Sequence, residues 1–174
     1  MVNFLLILKM NVRGCVGTDM KIERKWAMPS HKTFTIKPIS QLIQEEIGKD
    51  YLDPFPHPFE QDAIEYLQSV PDLSEDYCVF DPPYSQYQLK LMYKDLGIYF
   101  HNSNDQDQGR RITKYWSNCK KEIVRILRPG GKVISFGWNS NGIGKKYGFE
   151  ITRILVVAHG GRHNDTICTV EVKQ

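Results

Sequence analysis

Residues 78–84 read Cys-Val-Phe-Asp-Pro-Pro-Tyr, an apolar run of strand length cut off by two consecutive prolines. Neither proline has an N–H to give to a ladder, so a strand entering this segment must end at Asp81. Open α/β sheets bind ligands at the carboxyl ends of their strands, where Asp81-Pro82-Pro83-Tyr84 would stand. The Pro-Pro pair stiffens the backbone and leaves carbonyls without neighbouring N–H partners. One acceptor side chain, free carbonyls and an aromatic ring then converge on one point, a set suited to a flat heterocycle bearing an amino group. The plain alternative is a Pro-Pro turn that merely ends a strand.

The rest of the chain supplies the parts of such a sheet. Ile123, Ile126 and Leu127 fall at helical spacing, Pro129 and Gly130-Gly131 stop that helix, and Lys132 to Phe136 form another short apolar strand. Upstream, Ile39, Leu42, Ile43 and Ile47 make the apolar face of a helix with Ser40 as its expected cap and a glycine stop. A short strand, Tyr51 to Asp53, follows. Asp62-Ala63 opens a helix over Ile64 to Gln68. Ile151 to Val157 and Thr166 to Val172, joined by a Gly-Gly-Arg-His turn, read as an antiparallel hairpin.

Length and composition fit one domain: 174 residues with 41% hydrophobic content can bury a sound core. Cysteines at 15, 78, 119 and 168 show no Cys-x-x-Cys spacing, which argues against zinc. Cys78 and Cys168 lie in apolar strands and are expected to be reduced core residues. His159 and His163 flank a turn with no evident third ligand, so no metal is expected. The apolar run Val2 to Leu8 is too short to span a membrane and lacks the flanks of a signal peptide. The expected organisation is an N-terminal extension over residues 1–25, of uncertain order, and a single domain over 26–174, located in the cytoplasm.

Asp81-Pro82-Pro83-Tyr84 resembles the catalytic motif of S-adenosylmethionine-dependent amino-methyltransferases, above all the adenine-N6 DNA methyltransferases of the short phage and prophage type. The helix, Pro-Gly-Gly turn and strand from Lys120 to Ser135 resemble the segment that follows that motif in class I methyltransferases. His31 to Phe55 resembles their cofactor half. The tail from Phe136 to Gly142 and from His159 to Asp165 is similar to the same short enzymes. The resemblance implies an α/β, Rossmann-like class I methyltransferase sheet, mainly parallel with an antiparallel C-terminal hairpin. It implies S-adenosylmethionine as cofactor and DNA as partner. By the resemblance Asp81 accepts a hydrogen bond from the target amine, the Pro82 carbonyl accepts a second, Pro83 completes the motif, and Tyr84 stacks on an extruded base. Phe34, Thr35 and Lys37 lie near the cofactor's amino acid end, with Asp53, Pro54 and Phe55 beneath it. Asp62 and Ala63 resemble the element that reads the cofactor's adenine, a helix-capping aspartate being the equal alternative.

The chain also departs from the family pattern. Asp-Pro-Phe leads into Pro56-His57-Pro58-Phe59, which has no glycine where the family has a glycine-rich turn. Only the segment from Pro54 to Gln61 separates the first strand from Asp62, too short for the usual second strand with its acidic ribose contact. Glu60 is the nearest substitute by position. The fold is thus expected to be reduced by one strand, leaving Tyr51 to Asp53 as an edge. Val2 to Leu8 could cover that edge or pair with a second molecule, and a homodimer fits the exposed edge and shortened cofactor lobe. Net charge is only +3. Arg110, Arg111, Lys114 and Lys145 are the candidate phosphate contacts, beside a polar loop from His101 to Gly109, although such clusters are more often a solvated face. Two further functions stay open: the same chemistry on RNA or a protein amide, or a non-catalytic module that keeps the fold.

Overall fold

The computed structural model describes residues 20–55, 61–93 and 105–174, apart from the side chains at 86, 90, 92 and 105–112. Five strands form one sheet: β1 (Lys21–Trp26), β2 (Glu75–Phe80), β3 (Leu127–Gly137), β4 (Phe149–Ala158) and β5 (Thr166–Lys173), in the order β1-β4-β5-β3-β2. β1 pairs parallel to β4 and β2 parallel to β3, while β5 runs antiparallel to both of its neighbours. Four strands therefore point one way and β5 alone is reversed, as the mainly parallel sheet with a C-terminal hairpin requires. The hairpin closes where the His163 N–H donates to the Gly160 carbonyl at 3.2 Å.

Side-chain alternation along the strands builds a core on each face. Val79, Ile134, Phe136, Leu155, Val157 and Cys168 meet the buried face of α1 (Lys37–Glu46), made of Ile39, Leu42 and Ile43, with Ile47 just beyond it. Cys78, Phe80 and Val133 point the other way. They pack under α2 (Ala63–Ser69), α3 (Gln86–Tyr93) and α4 (Asp105–Ile126) through Leu67, Leu89, Tyr115, Cys119, Ile123 and Ile126. The apolar helix face read from the sequence is thus the one that is buried. Cys78, Cys119 and Cys168 are free and buried.

Several boundaries differ from expectation. The Tyr51 to Asp53 strand reduces to one bridge: the Leu52 N–H donates to the Tyr77 carbonyl and the Val79 N–H to the Leu52 carbonyl, both at 2.9 Å. Beyond it Pro54 ends the pairing and Asp53 Oδ1 accepts from the Phe55 N–H at 3.1 Å, turning the chain. Ser40 is not a cap. Pro38 stands in the first turn of α1, where its missing N–H costs nothing, so the helix starts at Lys37 and Ser40 lies inside it. Asp105 to Gly109, expected as loop, begins α4. β3 starts at Leu127, and because Glu75 faces Leu127 while Tyr77 faces Lys132, the Arg-Pro-Gly-Gly turn loops out of the ladder.

β1 lies across the expected boundary between residues 25 and 26 and has no counterpart among the strands read from the sequence. Its ladder with β4 holds it at the sheet edge, and charge ties it further. Arg153 on β4, almost fully buried, contacts Glu23 of β1 at 2.6 Å and Glu45 and Glu46 of α1 at 2.8 and 3.0 Å. The run Val2 to Leu8 and Cys15 lie outside the described residues. Among the described residues no helix is long and apolar enough to cross a membrane.

Candidate active site

Strands β1, β2, β3 and β5 and the Leu52 bridge deliver residues to one end of the sheet. Asp81 follows β2, Trp138 follows β3, Asp53 follows the bridge, the segment Ser30–Thr35 follows β1, and Thr166 opens the reversed β5. These residues line a cavity of about 800 Å³ together with Phe55, Pro82, Pro83, Tyr84, Gln88 and Leu91. The carboxyl ends of the parallel strands thus form the pocket, as the sheet architecture dictates.

The Asp-Pro-Pro-Tyr turn is fixed from several sides. The Tyr84 hydroxyl is shared between Asp81 Oδ1, at 3.1 Å, and the Phe136 carbonyl. Trp116 Nε1 donates to the Pro83 carbonyl at 3.1 Å, and the Tyr84 N–H donates to Gln88 Oε1 at 2.8 Å. The Tyr84 ring lies against the Gly137 backbone, where a Cβ would come 3.3 Å from its Cε1. Trp138 stacks on that ring at 5.5 Å between centroids and 28° between planes.

Two carboxyl groups face this cavity, and both hold their protons more tightly than usual. Burial pushes Asp53 up to about 7; the Phe55 N–H opposes this and the nearby Asp81 charge adds to it. Burial also raises Asp81, against hydrogen bonds from Thr33 and Tyr84 that favour its charged form. Tyr84 is raised by burial and by the Asp81 charge, so it remains a protonated donor at neutral pH. A pocket in which two carboxylates resist ionisation favours a cation, because each would be relieved by a positive charge between them.

The sequence-derived residues divide clearly. Phe34, Thr35, Asp53, Phe55, Asp81, Pro82, Pro83 and Tyr84 come together at the cavity. Pro54 is buried beside it, and Lys37 is exposed at the start of α1. Asp62 caps α2, with Oδ1 accepting from the Ile64 and Glu65 N–H groups at 2.8 and 3.2 Å. The Ala63 N–H donates to the Tyr93 hydroxyl at 3.1 Å, so neither Asp62 nor Ala63 lines the cavity. Lys114 and Lys145 are exposed. Arg110 and Arg111 lie in α4, their side chains outside the described residues; Pro56 to Phe59, Glu60, and His101 to Asn104 are themselves outside the described residues. Lys120 turns inward instead of joining a basic face, donating to the Gly142 carbonyl and standing 5.7 Å over the Phe80 ring.

Sequence reasoning missed Thr33, Trp116 and Glu171. Thr33 sits in a single helical turn with no local signal. Trp116 reaches the motif only because α4 crosses above it. Glu171 is wholly buried on β5, where its carboxylate accepts from the Ile143 and Gly144 N–H groups at 2.6 and 2.9 Å. It thereby clamps the loop that leaves Trp138. A charged residue in an apolar strand was the available clue. His159 is also structural: Nδ1 contacts the Ala27 carbonyl and Nε2 the Thr166 hydroxyl, each at 2.9 Å. Among the described residues no group of three or more His, Cys, Asp or Glu is placed to hold a metal ion.

No family model and no curated protein matches the chain. Among solved structures it is similar to a proposed DNA modification methylase from Thermus thermophilus, at 16% identity and a TM-score of 0.45, over 64% of this chain and 50% of that one. Against the form complexed with S-adenosyl-L-methionine the values are 16%, 0.43, 64% and 51%. A SAM-dependent methyltransferase from Methanosarcina mazei is similar at 10% identity and 0.37, over 87% of this chain and 82% of that one. The chain spans about half the length of the Thermus protein. Its own strand order, with one reversed strand set between parallel neighbours, is that of a Rossmann-like class I methyltransferase sheet.

Proposed function

We propose that the chain is a methyltransferase that uses S-adenosylmethionine to methylate the N6 amine of adenine in DNA. The observation that carries this reading is the Asp81-Pro82-Pro83-Tyr84 turn at the carboxyl end of β2, opening on a cavity of about 800 Å³. Two carboxyl groups with raised affinity for protons fit a cationic sulfonium, and Phe34, Thr35, Asp53 and Phe55 are the residues that would hold the cofactor. When bound, it supplies an electrophilic methyl group.

The chain's own contribution is orientation. Asp81 accepts one amine hydrogen and the Pro82 carbonyl a second, which turns the nitrogen lone pair toward the methyl group. Holding reactants in that geometry accounts for much of such a rate enhancement. The raised proton affinity of Asp81 also suits it to receive the proton that the nitrogen sheds after transfer. No covalent enzyme intermediate and no metal enter this scheme. Exposed Lys114 and Lys145, with Arg110 and Arg111, are assigned to phosphate contacts.

The test measures methyl transfer from labelled S-adenosylmethionine to DNA by wild type and Asp81→Ala. Loss of transfer by a protein that still unfolds cooperatively is expected; an active Asp81→Ala protein refutes the assignment. Transfer to RNA or to a protein amide, but not DNA, shifts the substrate class. One observation favours a non-catalytic module: Asp62, the candidate adenine reader, is occupied in capping α2. Absence of cofactor binding by calorimetry, with and without DNA, supports that second reading. Light scattering tests the homodimer.

A further inference from the structure

The motif's tyrosine is half-buried and contacted on several sides. Its hydroxyl is shared between Asp81 and the Phe136 carbonyl, its ring lies on Gly137, Trp116 stands edge-on at 6.4 Å, and Trp138 covers it at 5.5 Å. Of the two stacked rings at the cavity, Trp138 is therefore the more exposed. Trp138 is 58% exposed and lines the same cavity as Asp81. It is also anchored on both sides in sequence. Gly137 ends β3, and the loop beyond Trp138 is clamped by the buried Glu171 carboxylate and by Lys120 on the Gly142 carbonyl. A large aromatic surface already stacked at the cavity on a neighbouring ring has less freedom to lose when a flat ligand covers it.

We propose that Trp138 is the surface on which a base of the nucleic-acid substrate stacks, with Tyr84 serving as the ring that backs it. This rests on the methyltransferase reading for its substrate class and assigns the stacking contact to a residue outside the Asp-Pro-Pro-Tyr turn. The occupant is an unpaired base, because a paired base shows its faces to its neighbours in the helix and not to a protein ring. Single-stranded nucleic acid should accordingly bind at this mouth in the absence of cofactor.

The experiment titrates fluorescently labelled single-stranded DNA of random sequence with wild type, Trp138→Ala, Trp138→Phe and Trp26→Ala, reading anisotropy without cofactor. Trp26, 64% exposed at the end of β1 and outside the cavity lining, controls for loss of a surface tryptophan. Stacking on one aromatic ring predicts about a tenfold or greater loss of affinity for Trp138→Ala, with recovery to within about threefold in Trp138→Phe. Trp26→Ala should bind as wild type. In methyl-transfer assays the Trp138→Ala deficit should appear mainly in KM. Equal affinity of wild type and Trp138→Ala overturns the proposal, as does failure of wild type to bind the strand. If the strand binds through Trp138 but no methyl group is transferred, the proposed reaction fails and the stacking surface stands. If transfer occurs and Trp138→Ala matches wild type in affinity and KM, the stacking surface alone fails.

Discussion

Replacing Asp53 by asparagine should stabilise the free protein, and only above mildly acidic pH. The carboxyl group is partly buried in the cavity lining, and its pKa rises from the usual 3.8 to about 7, first through burial and further through the Asp81 charge. A carboxyl group raised in the folded state supports folding fully below its unfolded value. That support is lost as pH rises from about 4 to about 7 and is constant beyond. The rise from 3.8 to about 7 corresponds to a ceiling of about 4 kcal/mol. Because the cavity is open to water, screening reduces this to about 2 kcal/mol. Asparagine keeps the Oδ1 acceptor for the Phe55 N–H, now made at 3.1 Å, while removing the charge. For a chain of this length about 2 kcal/mol is a gain of about 4–8 °C in melting temperature. Thermal melts of wild type and Asp53→Asn across this range should coincide near pH 4, diverge toward pH 7 and run parallel above it. A difference that is flat in pH, or grows toward acid, refutes the account. The gain should shrink when a cationic ligand occupies the pocket, since the wild-type carboxylate then has a partner.

Gly142→Ala should lower stability by at least about 2 kcal/mol, because its φ is +52° and a Cβ there would collide with the Glu171 carboxylate; an unchanged denaturant midpoint would count against the clamp. Arg153→Met should destabilise by about 3 kcal/mol, since it strands Glu23 and Glu46 in partly buried positions. Burial pushes both carboxyl groups up, but hydrogen bonds from Arg153, with help from Lys21 and Lys132, bring them below the usual 4.5. Stability from such groups is present above that value and lost as pH falls through the lower folded one, so the Arg153→Met deficit should shrink in acid. A deficit that grows on acidification contradicts the pairing.

Much of the fold was legible because its signals are local. The Asp81-Pro82 stop ends β2 wherever β2 lies, and Ile39, Leu42, Ile43 and Ile47 mark one helix face without reference to neighbours. The same holds for the Gly160-Gly161 turn between β4 and β5. Errors arose where two local signals competed: Ser40 is a good cap residue, but Pro38 had already set the helix start. Asp62 was open between two roles in sequence, and its geometry in the structure is that of a cap.

The sequence by itself determined that a strand must end at Asp81 with an acceptor, carbonyls and a ring at its tip, since proline's missing N–H acts without regard to context. It also determined the hairpin and the buried face of α1, through periodicity. Only the tertiary structure decided which groups surround that tip. Thr33, Asp53, Trp116 and Trp138 meet Asp81 and Tyr84 because β1, the Leu52 bridge, α4 and β3 all deliver residues to the same end of the sheet. The pairing of Arg153 with Glu23, 130 residues away, likewise has no local trace. Burial and long-range charge depend on what the rest of the chain brings near, which no window of sequence contains.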